Sequence, residues 1–425
     1  MSELPPLDGL DVVLAMRQGL LTRHDHVETM FRLGLAVHLV TEDAGAQQDP
    51  RYASVRLLPS GSATGALLDA VKDVLHQRDA AFAVTFQETD IEAVGEANAA
   101  RGVSWSRPVA DATARDKARQ RAHFAAAGLP TPGHWAIGDR QLTAGLPEVG
   151  YPCVVKPTRG ASSSHVELVA DAAGALRVLA EIRTLAASGQ NHFYDQLDDS
   201  WALLEEFLPG EEVTCDGVVV DGEFQLGGIH SKVLSPPPFF EEDLYTLPGV
   251  DQATEEELTA VMRRLSRSLD LETCLLNAEF RKDTEGRFRL VEFSTRISGG
   301  HVYRNIRDAH RIDLVEAFLL AAAGRSAAAR AAAARRTPAR LATCIRFVYR
   351  SGTVAANQVG EAWRHPGFRA YYALAAPGDR IGHAPEGFDI CGLLSVWSTP
   401  DPAGHPIGIH QLAAEVEALL DIRVD

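Results

Sequence analysis

The stretch that decides the fold reads Thr273-Cys-Leu-Leu-Asn-Ala-Glu-Phe-Arg281, then a turn at Asp283-Thr-Glu-Gly286, then Arg287-Phe-Arg-Leu-Val-Glu-Phe-Ser-Thr-Arg-Ile-Ser-Gly-Gly300. Two runs of β-forming residues separated by a short polar turn that contains glycine predict a β-hairpin. The rest of the chain can be organised around this hairpin.

The register of the hairpin sorts its side chains onto two faces. A loop centred on Thr284-Glu285 predicts Asn277 opposite Glu292 and Glu279 opposite Leu290. Because strand side chains alternate with period two, one face is polar and the other apolar. The polar face carries Asn277, Glu279, Glu292, Ser294 and Arg296. The apolar face carries Leu276, Ala278, Phe280, Val291 and Phe293.

The polar face has the chemistry of a magnesium site. On the predicted register Glu279 and Glu292 are diagonal neighbours with Cα atoms roughly 7 to 8 Å apart, so both can reach ions between them. Mg²⁺ binds few protein oxygens and completes its octahedron with water and phosphate oxygens. We therefore predict metal ligands at Glu279, Glu292 and Ser294, and a donor fork for phosphate or carboxylate at Arg296. The alternative is an amphipathic hairpin whose acidic face meets only water.

Length and composition narrow the class of protein. At 425 residues the chain predicts two to four structural units, and 46% hydrophobic with 23% charged residues is ordinary for a globular protein. The net charge is −16, from 57 acidic residues against 41 Lys and Arg. Nucleic-acid binders usually have the opposite balance, so we expect no DNA or RNA partner.

The sequence gives no sign of a membrane or a secretory location. No apolar run reaches the roughly 20 residues that a bilayer crossing needs, and Met1-Ser-Glu-Leu-Pro-Pro6 lacks a basic region followed by an apolar stretch. The five cysteines are scattered singly, which fits reduced thiols and gives no zinc spacing. We expect a cytoplasmic protein without a membrane partner.

The first 110 residues alternate short apolar strands with helical stretches. Strands are predicted at Asp11-Val-Val-Leu-Ala15, Ala36-Val-His-Leu-Val40 and Ala81-Phe-Ala-Val-Thr85. Such alternation indicates a parallel sheet of Rossmann-like type. The segment has no G-x-G-x-x-G, so we expect a substrate-side unit and not a dinucleotide site.

Two lysines stand out in the next segment. We predict one continuous helix from Asp111 to Gly128, and Lys117 within it would ordinarily be a solvated helix residue. Lys156 ends the apolar strand Pro152-Cys-Val-Val-Lys-Pro157, where an unpaired ammonium is costly. The loop that follows, 158–165, is rich in glycine and hydroxyl residues, and backbone N–H groups of such a loop can fold over polyphosphate.

The order of these features resembles the ATP-grasp superfamily over roughly residues 110–320. The features are a helix lysine, a strand lysine before a Gly/Ser loop, the run Glu205-Glu-Phe-Leu-Pro-Gly-Glu-Glu212, and two acids on a hairpin that ends Ser294-Thr-Arg296. The resemblance implies an α/β (α+β) protein with an ATP-grasp fold. It predicts an N-terminal Rossmann-like pre-ATP-grasp domain at 1–110, a central subdomain with a lid loop at 111–210, a C-terminal subdomain with the metal site at 211–340, and a mixed α+β extension at 341–425.

The resemblance also implies a role for each matching residue. The nucleotide phosphates would be contacted by Lys117 and Lys156 and covered by the lid loop, with Gly160, Ser162, Ser163 and Ser164. The adenosine would be bound by Glu205 at the adenine amino group, by the hinge residues Glu206, Phe207 and Leu208, and by Glu212 at the ribose. The metal acids would be Glu279 and Glu292, with Ser294 where many members carry Asn, and they would usually hold two Mg²⁺ ions, with Mn²⁺ as an alternative ion. Catalytic groups would be Arg296, Lys156 and His301, with His230 and Lys232 as alternative positioning residues that are more often structural.

Within the superfamily, three features look most like bacterial L-amino-acid ligases and their carbamoyl-phosphate-synthase-like relatives: the ending Val291-Glu-Phe-Ser-Thr-Arg-Ile-Ser-Gly-Gly-His301, the Pro/Phe-rich segment 235–240 and the long carboxy-terminal unit. This likeness implies an ATP-dependent carboxylate–amine ligase, dimeric as such ligases usually are, that joins two amino acids through an acyl phosphate. Some such ligases have a bulky side chain where Gly300 stands, so we expect a roomier amine-side pocket. The alternatives are a bicarbonate-activating carboxylase of the same fold and a non-catalytic nucleotide-binding protein.

Overall fold

A computed structural model describes residues 6–160, 165–188, 200–382, 389–399 and 408–425. Its N-terminal part is a four-stranded parallel sheet in the order β3-β2-β1-β4, flanked by helices. The strands are apolar runs because both faces of the sheet are covered, as parallel sheets require. This part comprises β1 Asp11–Ala15, α1 His24–Arg32, β2 Ala36–Thr41, β3 Ser54–Leu57, α2 Thr64–Gln77, β4 Ala83–Val84 and α3 Ile91–Arg101. The Rossmann-like prediction is confirmed.

The next part is a four-stranded antiparallel sheet in the order β5-β8-β6-β7, with helices packed against it. Its strand β6 carries Lys156 and its strand β8 carries Glu205. The elements are α4 Pro108–Arg115, α5 Lys117–Ala126, β5 His134–Gly138, α6 Asp139–Ala144, β6 Cys153–Pro157, β7 Glu167–Val169, α7 Ala172–Ser188 and β8 Ser200–Glu206.

The largest element is an eight-stranded antiparallel sheet in the order β13-β12-β9-β10-β11-β14-β18-β16. One face packs on α8 and the other on α9, α10 and the N-terminal part. The elements up to residue 340 are β9 Glu212–Val220, β10 Glu223–Leu234, β11 Glu242–Leu247, α8 Gln252–Ser268, β12 Thr273–Lys282, β13 Phe288–Ser294, α9 Val302–His310, α10 Leu314–Ala322 and α11 Ser326–Ala333.

The last part continues the same sheet and adds a small one. Strands β14, β18 and β16 complete the eight-stranded sheet, while β17, β15 and β19 form a three-stranded sheet beside α12. The elements are β14 Ala342–Val348, β15 Gly352–Gln358, β16 Phe368–Ala373, β17 Arg380–Ile381, β18 Gly392–Ser398, α12 Ile409–Glu417 and β19 Asp421–Val424. The large sheet therefore crosses residue 340, and the division of the chain at that residue stays a prediction.

The structure corrects the helix that was predicted from Asp111 to Gly128. The chain forms two helices, α4 and α5, that are interrupted at Asp116, whose backbone is extended (φ −126°, ψ 111°). The Asp116 carboxylate accepts hydrogen bonds from the backbone N–H groups of Ala118 and Arg119, so it is the N-cap of α5. Lys117 is therefore the first residue of a helix and not an interior one.

None of the helices in the described ranges combines the length and apolar character that crossing a bilayer would need.

Candidate active site

One cavity of about 400 Å³ brings together most of the residues predicted for the site. Its walls come from the N-terminal part, from the β5–β8 sheet and from the large sheet. The predicted residues that line it are Lys117, Lys156, Gly160, Glu205, Glu206, Phe207, Leu208, Glu212, Glu279, Glu292, Ser294 and Arg296. Ser162, Ser163 and Ser164 lie outside the described residues.

The two carboxylates of the hairpin, Glu279 and Glu292, lie directly opposite each other on β12 and β13. The predicted register was wrong by two residues at this pair, since Asn277 faces Ser294 and not Glu292, and Glu279 faces Glu292 and not Leu290. A β-bulge at Val291, an extra residue that the alternation of apolar and polar residues does not reveal, accounts for one of the two residues. The other is already present between the turn and the bulge, where Phe280 faces Leu290.

The bulge changes the geometry of the carboxylate pair, by which we mean Glu279 and Glu292. Directly paired residues have Cα atoms about 5 Å apart, closer than the predicted diagonal. Val291, predicted on the apolar face, instead lines the cavity beside the pair. The polar face itself is confirmed, because Asn277, Ser294 and both glutamates line the same cavity.

The middle of the cavity contains more carboxylates than cations. The pKa of Glu279 is raised to about 7, chiefly by burial and also by the nearby Glu212 and Glu292, against the opposing effect of Lys232. Burial likewise raises the pKa of Glu242, which lines the same cavity. A group of carboxylates in which an acid is held partly protonated is a place where a cation would be stabilised.

Lys117 contacts this group of carboxylates from the first turn of α5, directly after the break at Asp116. Its Nζ lies 2.9 Å from Glu292, and its side chain is only 9% exposed, so it is not a solvated helix residue. Its backbone N–H donates to the Thr158 carbonyl at the start of the lid loop. Gln120, one turn later, exchanges two hydrogen bonds with the backbone of Phe293 and fixes α5 against β13.

Lys156 is paired with a carboxylate on the neighbouring strand. Its Nζ and the Arg121 Nε each lie 2.5 Å from a different oxygen of Glu205. Burial would raise the pKa of Glu205, but Arg121 and Lys156 outweigh it and hold that pKa at about 2. Burial lowers the pKa of Lys156 despite Glu205, so this ammonium is a buried cation that faces the cavity.

A row of polar side chains crosses four strands of the large sheet below the cavity, and the charges on the first three strands alternate in sign. Arg281, Glu212, Lys232 and Tyr245 occupy successive strands in register. Lys232 Nζ lies 2.7 Å from Glu212 and 3.1 Å from Glu279, and Arg281 lies 3.2 Å from Glu212. The row holds Glu212 in place and connects it to the carboxylate pair.

The hinge predicted after β8 lies on the cavity wall. Glu206 is exposed and accepts a hydrogen bond from the Gly133 N–H. Phe207 packs toward Phe240, with ring centroids 6.4 Å apart, and Arg281 stacks over both rings. Aromatic and aliphatic groups with adjacent backbone donors and acceptors suit a flat heterocycle.

Arg296 lies in a cluster of three arginines around one acid. Glu88 lies 2.6 Å from Arg296 and 3.3 Å from Arg115, and it accepts a hydrogen bond from the Ser294 hydroxyl. Burial would raise the pKa of Glu88, but Arg296 and Arg115 hold it at about 2. Arg23 is the third member, and with Arg115 and Arg296 it forms what we call the arginine cluster.

His301 is close to the cavity wall but not part of it. Its ring is fully buried, stacks on Tyr372 with centroids 4.1 Å apart, and hydrogen-bonds through Nε2 to the Leu393 carbonyl. Burial lowers its pKa to about 3. The structure does not bring His301 together with the other predicted catalytic residues. His230 is likewise fully buried, and its pKa is lowered to about 3.

The donor set suits Mg²⁺ bound together with phosphate. Within the described ranges there is no cluster of three or more His, Cys, Asp or Glu that could hold an ion by itself. The carboxylate pair nevertheless offers hard oxygens from two adjacent strands, in surroundings where negative charge is in excess. That is the partial coordination expected of Mg²⁺, which shares its shell with substrate phosphates and water. Ser294 donates its hydroxyl to Glu88, so its role as a metal ligand stays a prediction.

Several residues of the site were missed in the sequence. Glu88, Arg23 and Arg115 come from segments far from the hairpin, and Arg121 lies one turn after Lys117. A buried acid between cations has no local sequence pattern. The one available signal was the pair Lys117 and Arg121, four residues apart on one helix face.

Comparison with known proteins gives a domain match and several more distant relatives. Residues 149–304 match the sequence model of the ATP-grasp domain. Alanine–anticapsin ligase of Bacillus subtilis is 25% identical over 255 residues, which is 54% of this chain and 52% of that protein. D-Alanine–D-alanine ligase of Stutzerimonas stutzeri is 28% identical over 194 residues, which is 44% of this chain and 57% of that protein. The chain thus spans about half the length of these curated relatives.

A solved structure extends the likeness to the whole chain. The L-amino acid ligase of Bacillus licheniformis superposes with a TM-score of 0.80 over 98% of this chain and 99% of that one, at 18% identity. At that identity the superposition shows the fold alone. Together with the domain match, it shows that this chain has the ATP-grasp fold and contains an ATP-grasp domain at residues 149–304.

Proposed function

We propose that this protein is an ATP-dependent carboxylate–amine ligase that joins two amino acids and releases ADP and phosphate. The observation that carries the proposal is the meeting of the carboxylate pair, Lys117, Lys156 and Arg296 in one cavity. Acids for a metal, ammonium groups for phosphates and a guanidinium for the reacting carboxylate are the parts that phosphoryl transfer needs.

The nucleotide would lie at the end of the cavity that the β5–β8 sheet walls. Lys117 and Lys156 contact its phosphates, and Gly160 at the start of the lid loop covers them. The hinge residues Phe207 and Leu208 enclose adenine between apolar surfaces. Glu205 and Glu212 are each fixed by two cations, so they can accept hydrogen bonds without reorganising.

The carboxylate pair would hold Mg²⁺ against the phosphates. When bound, the ion neutralises charge on the β and γ oxygens. The protein's part is to keep Glu279 and Glu292 on neighbouring strands and to balance them with Lys232 and Lys117.

The reaction would proceed in two steps, phosphorylation of a carboxylate and attack by an amine. An oxygen of the acyl donor's carboxylate takes the γ-phosphoryl group, and ADP leaves with the broken bond's electron pair. The amine of the second substrate then attacks the acyl carbon, phosphate leaves, and a proton is released. Arg296, held by Glu88 and the Ile297 carbonyl, would donate to the acyl phosphate and to the oxyanion that follows.

The relatives support this substrate class. Two of these relatives are an alanine–anticapsin ligase and a D-alanine–D-alanine ligase. Both names include an alanine as a substrate. An amino-acid pair is therefore the first class of substrate to test here.

The test is a coupled assay of ADP release over pairs of amino acids, with the product mass determined by mass spectrometry. We expect ADP release that depends on both amino acids and on Mg²⁺, with a product mass equal to the sum of the two minus water. ADP release that requires bicarbonate and no second amino acid would instead identify a carboxylase. Absence of turnover over the whole panel would contradict the ligase proposal.

A further inference from the structure

Arg23 is a buried arginine that has no acidic partner among the described residues. Five arginines of the described chain are buried, and four of them pair with an acid: Arg17 with Asp90, Arg115 with Glu88, Arg121 with Glu205 and Arg159 with Glu92. Arg23 is 6% exposed, and no described carboxylate lies within ion-pair distance of it. Its Nε donates to the Phe86 carbonyl at 2.9 Å, and Nη1 makes only a long contact of 3.4 Å with the Thr22 carbonyl.

The guanidinium of Arg23 faces the cavity at a place where the opposite wall has no side chain. Its two terminal nitrogens would lie 3.4 and 3.6 Å from a Cβ atom added to Gly299. Arg23 and Gly299 both line the cavity. The glycine therefore leaves open the space that a group bound to Arg23 would occupy.

The charge around Arg23 favours an anion. The arginine cluster contains three guanidinium groups, and its one nearby acid, Glu88, is already bound by Arg296 and Arg115. Burial and the neighbouring Arg296 lower the pKa of Arg23 to about 9. A buried cation without a partner is costly, and a bound carboxylate would remove that cost.

An apolar wall begins next to Arg23. Phe347, Leu374, Ile390 and Leu393 line the same cavity, all from the strands and loops after residue 340. Gly300, adjacent to Gly299, faces this wall, since a Cβ added there would lie 3.1 Å from the Leu393 Cδ1 atom. The Arg23 guanidinium and the apolar wall thus face two adjacent glycines, Gly299 and Gly300.

We propose that Arg23 binds the carboxylate of the amine-donating amino acid and that the apolar wall receives its side chain. This proposal rests on the ligase function proposed above. Ligation consumes the carboxylate of the acyl donor, whereas the amine donor keeps its carboxylate in the product. A permanent cation beside an apolar wall fits the substrate whose carboxylate persists, and it selects apolar amino acids such as leucine, methionine and phenylalanine.

The test compares an amino acid with its own carboxamide as amine donor. Leucine, methionine and phenylalanine are assayed against leucinamide, methioninamide and phenylalaninamide in the ADP-release assay, with wild type, Arg23→Gln and Arg23→Lys. In wild type we expect kcat/KM to be about tenfold to hundredfold higher for the acid, as a charge-assisted hydrogen bond implies. In Arg23→Gln the acid and the amide should become equivalent, and the KM for ATP should not change.

Controls separate a local effect from misfolding. Arg23→Lys keeps the charge and should retain part of the preference for the acid. Arg51→Gln changes an exposed arginine of the same N-terminal part and should keep the full preference. A preference for the acid that survives in folded Arg23→Gln would overturn the proposal.

Calorimetric binding of the same six compounds to the full chain with MgADP makes the test independent of turnover. If wild type binds the acids better than the amides and Arg23→Gln does not, the carboxylate site stands even when no ligase activity is found. If wild type catalyses ligation and the preference does not depend on Arg23, the ligase function stands and this proposal fails. Absence of binding by all three amino acids would also overturn it.

Discussion

Two regions of one cavity carry opposite imbalances of charge. Around the carboxylate pair four acids, Glu212, Glu242, Glu279 and Glu292, share three cations, Lys117, Lys232 and Arg281. In the arginine cluster the single acid Glu88 pairs with Arg296 and Arg115, and Arg23 is left without an ion pair among the described residues. We therefore expect the first region to bind a cation and the second to bind an anion.

The largest expected effect on turnover comes from neutralising one glutamate of the carboxylate pair. Glu292→Gln or Glu279→Gln removes one of the two proposed metal ligands, so we expect ADP release to fall roughly a thousandfold or more. The circular dichroism spectrum and the melting temperature of each variant should differ little from those of the wild type. Turnover at the wild-type level in folded Glu292→Gln would refute the metal assignment.

A matched control lies on the same hairpin. Glu285 is in the exposed turn between β12 and β13. Glu285→Gln makes the same chemical change outside the cavity and should keep full activity.

The next effect concerns the free energy of unfolding and the buried ion pairs of Glu205 with Lys156 and Arg121. Glu205→Gln leaves Lys156 and Arg121 buried without a carboxylate, which should cost about 3 kcal/mol of unfolding free energy. Urea denaturation measures it. Glu206→Gln alters the adjacent exposed residue and should cost under about 0.5 kcal/mol. Equal losses in the two variants would contradict the buried pairing.

A third prediction concerns pH and the fully buried Asp216, which accepts hydrogen bonds from the Ser298 N–H and hydroxyl. Burial raises its pKa from 3.8 to about 6, although the Ser298 hydrogen bonds oppose the shift. The folded state therefore binds the proton more tightly than the unfolded state. Stability from this group is present below pH 4 and is lost as the pH rises to about 6, by on the order of 2 to 3 kcal/mol.

Asp216→Asn tests that pH dependence. The variant removes the titrating group, so its stability relative to wild type should increase as the pH rises from 4 to 7. Thermal denaturation across this range measures the trend. Asp73→Asn, at an exposed position, should follow the wild-type profile. A difference between Asp216→Asn and wild type that does not change with pH would contradict the raised pKa.

The smallest effect on turnover is expected at His301. Its ring is buried, neutral at ordinary pH and bonded to the Leu393 carbonyl, so its contribution is packing beside the arginine cluster. His301→Gln should lower the melting temperature but change kcat by less than about tenfold. A hundredfold loss of kcat in a folded variant would restore His301 as a catalytic residue.

The sequence predicts those parts of the site that have a local pattern. The alternation and spacing of residues predict the hairpin with its two glutamates, the strand that carries Lys156 and the parallel N-terminal sheet. The structure confirms each of these features. The order of these motifs along the chain also predicts the ATP-grasp domain that the sequence model matches at residues 149–304.

The rest depends on contacts that have no local pattern. The bulge at Val291 changes the pairing without changing the alternation of residues. The break at Asp116 is set by a capping carboxylate inside an otherwise helical stretch. Arg23 and Glu88 reach the site only through the packing of the N-terminal part on the large sheet. Their proximity to Arg296 therefore could not be predicted from the sequence.

The most direct test of the proposed metal site at Glu279 and Glu292 is a crystal structure with bound metal and nucleotide. Crystals grown with Mn²⁺ and a non-hydrolysable ATP analogue should show an anomalous peak within about 2.5 Å of oxygens from both Glu279 and Glu292. The triphosphate should extend from that peak toward Lys117 and Lys156. A nucleotide bound elsewhere, or a metal that contacts neither carboxylate, would contradict the account.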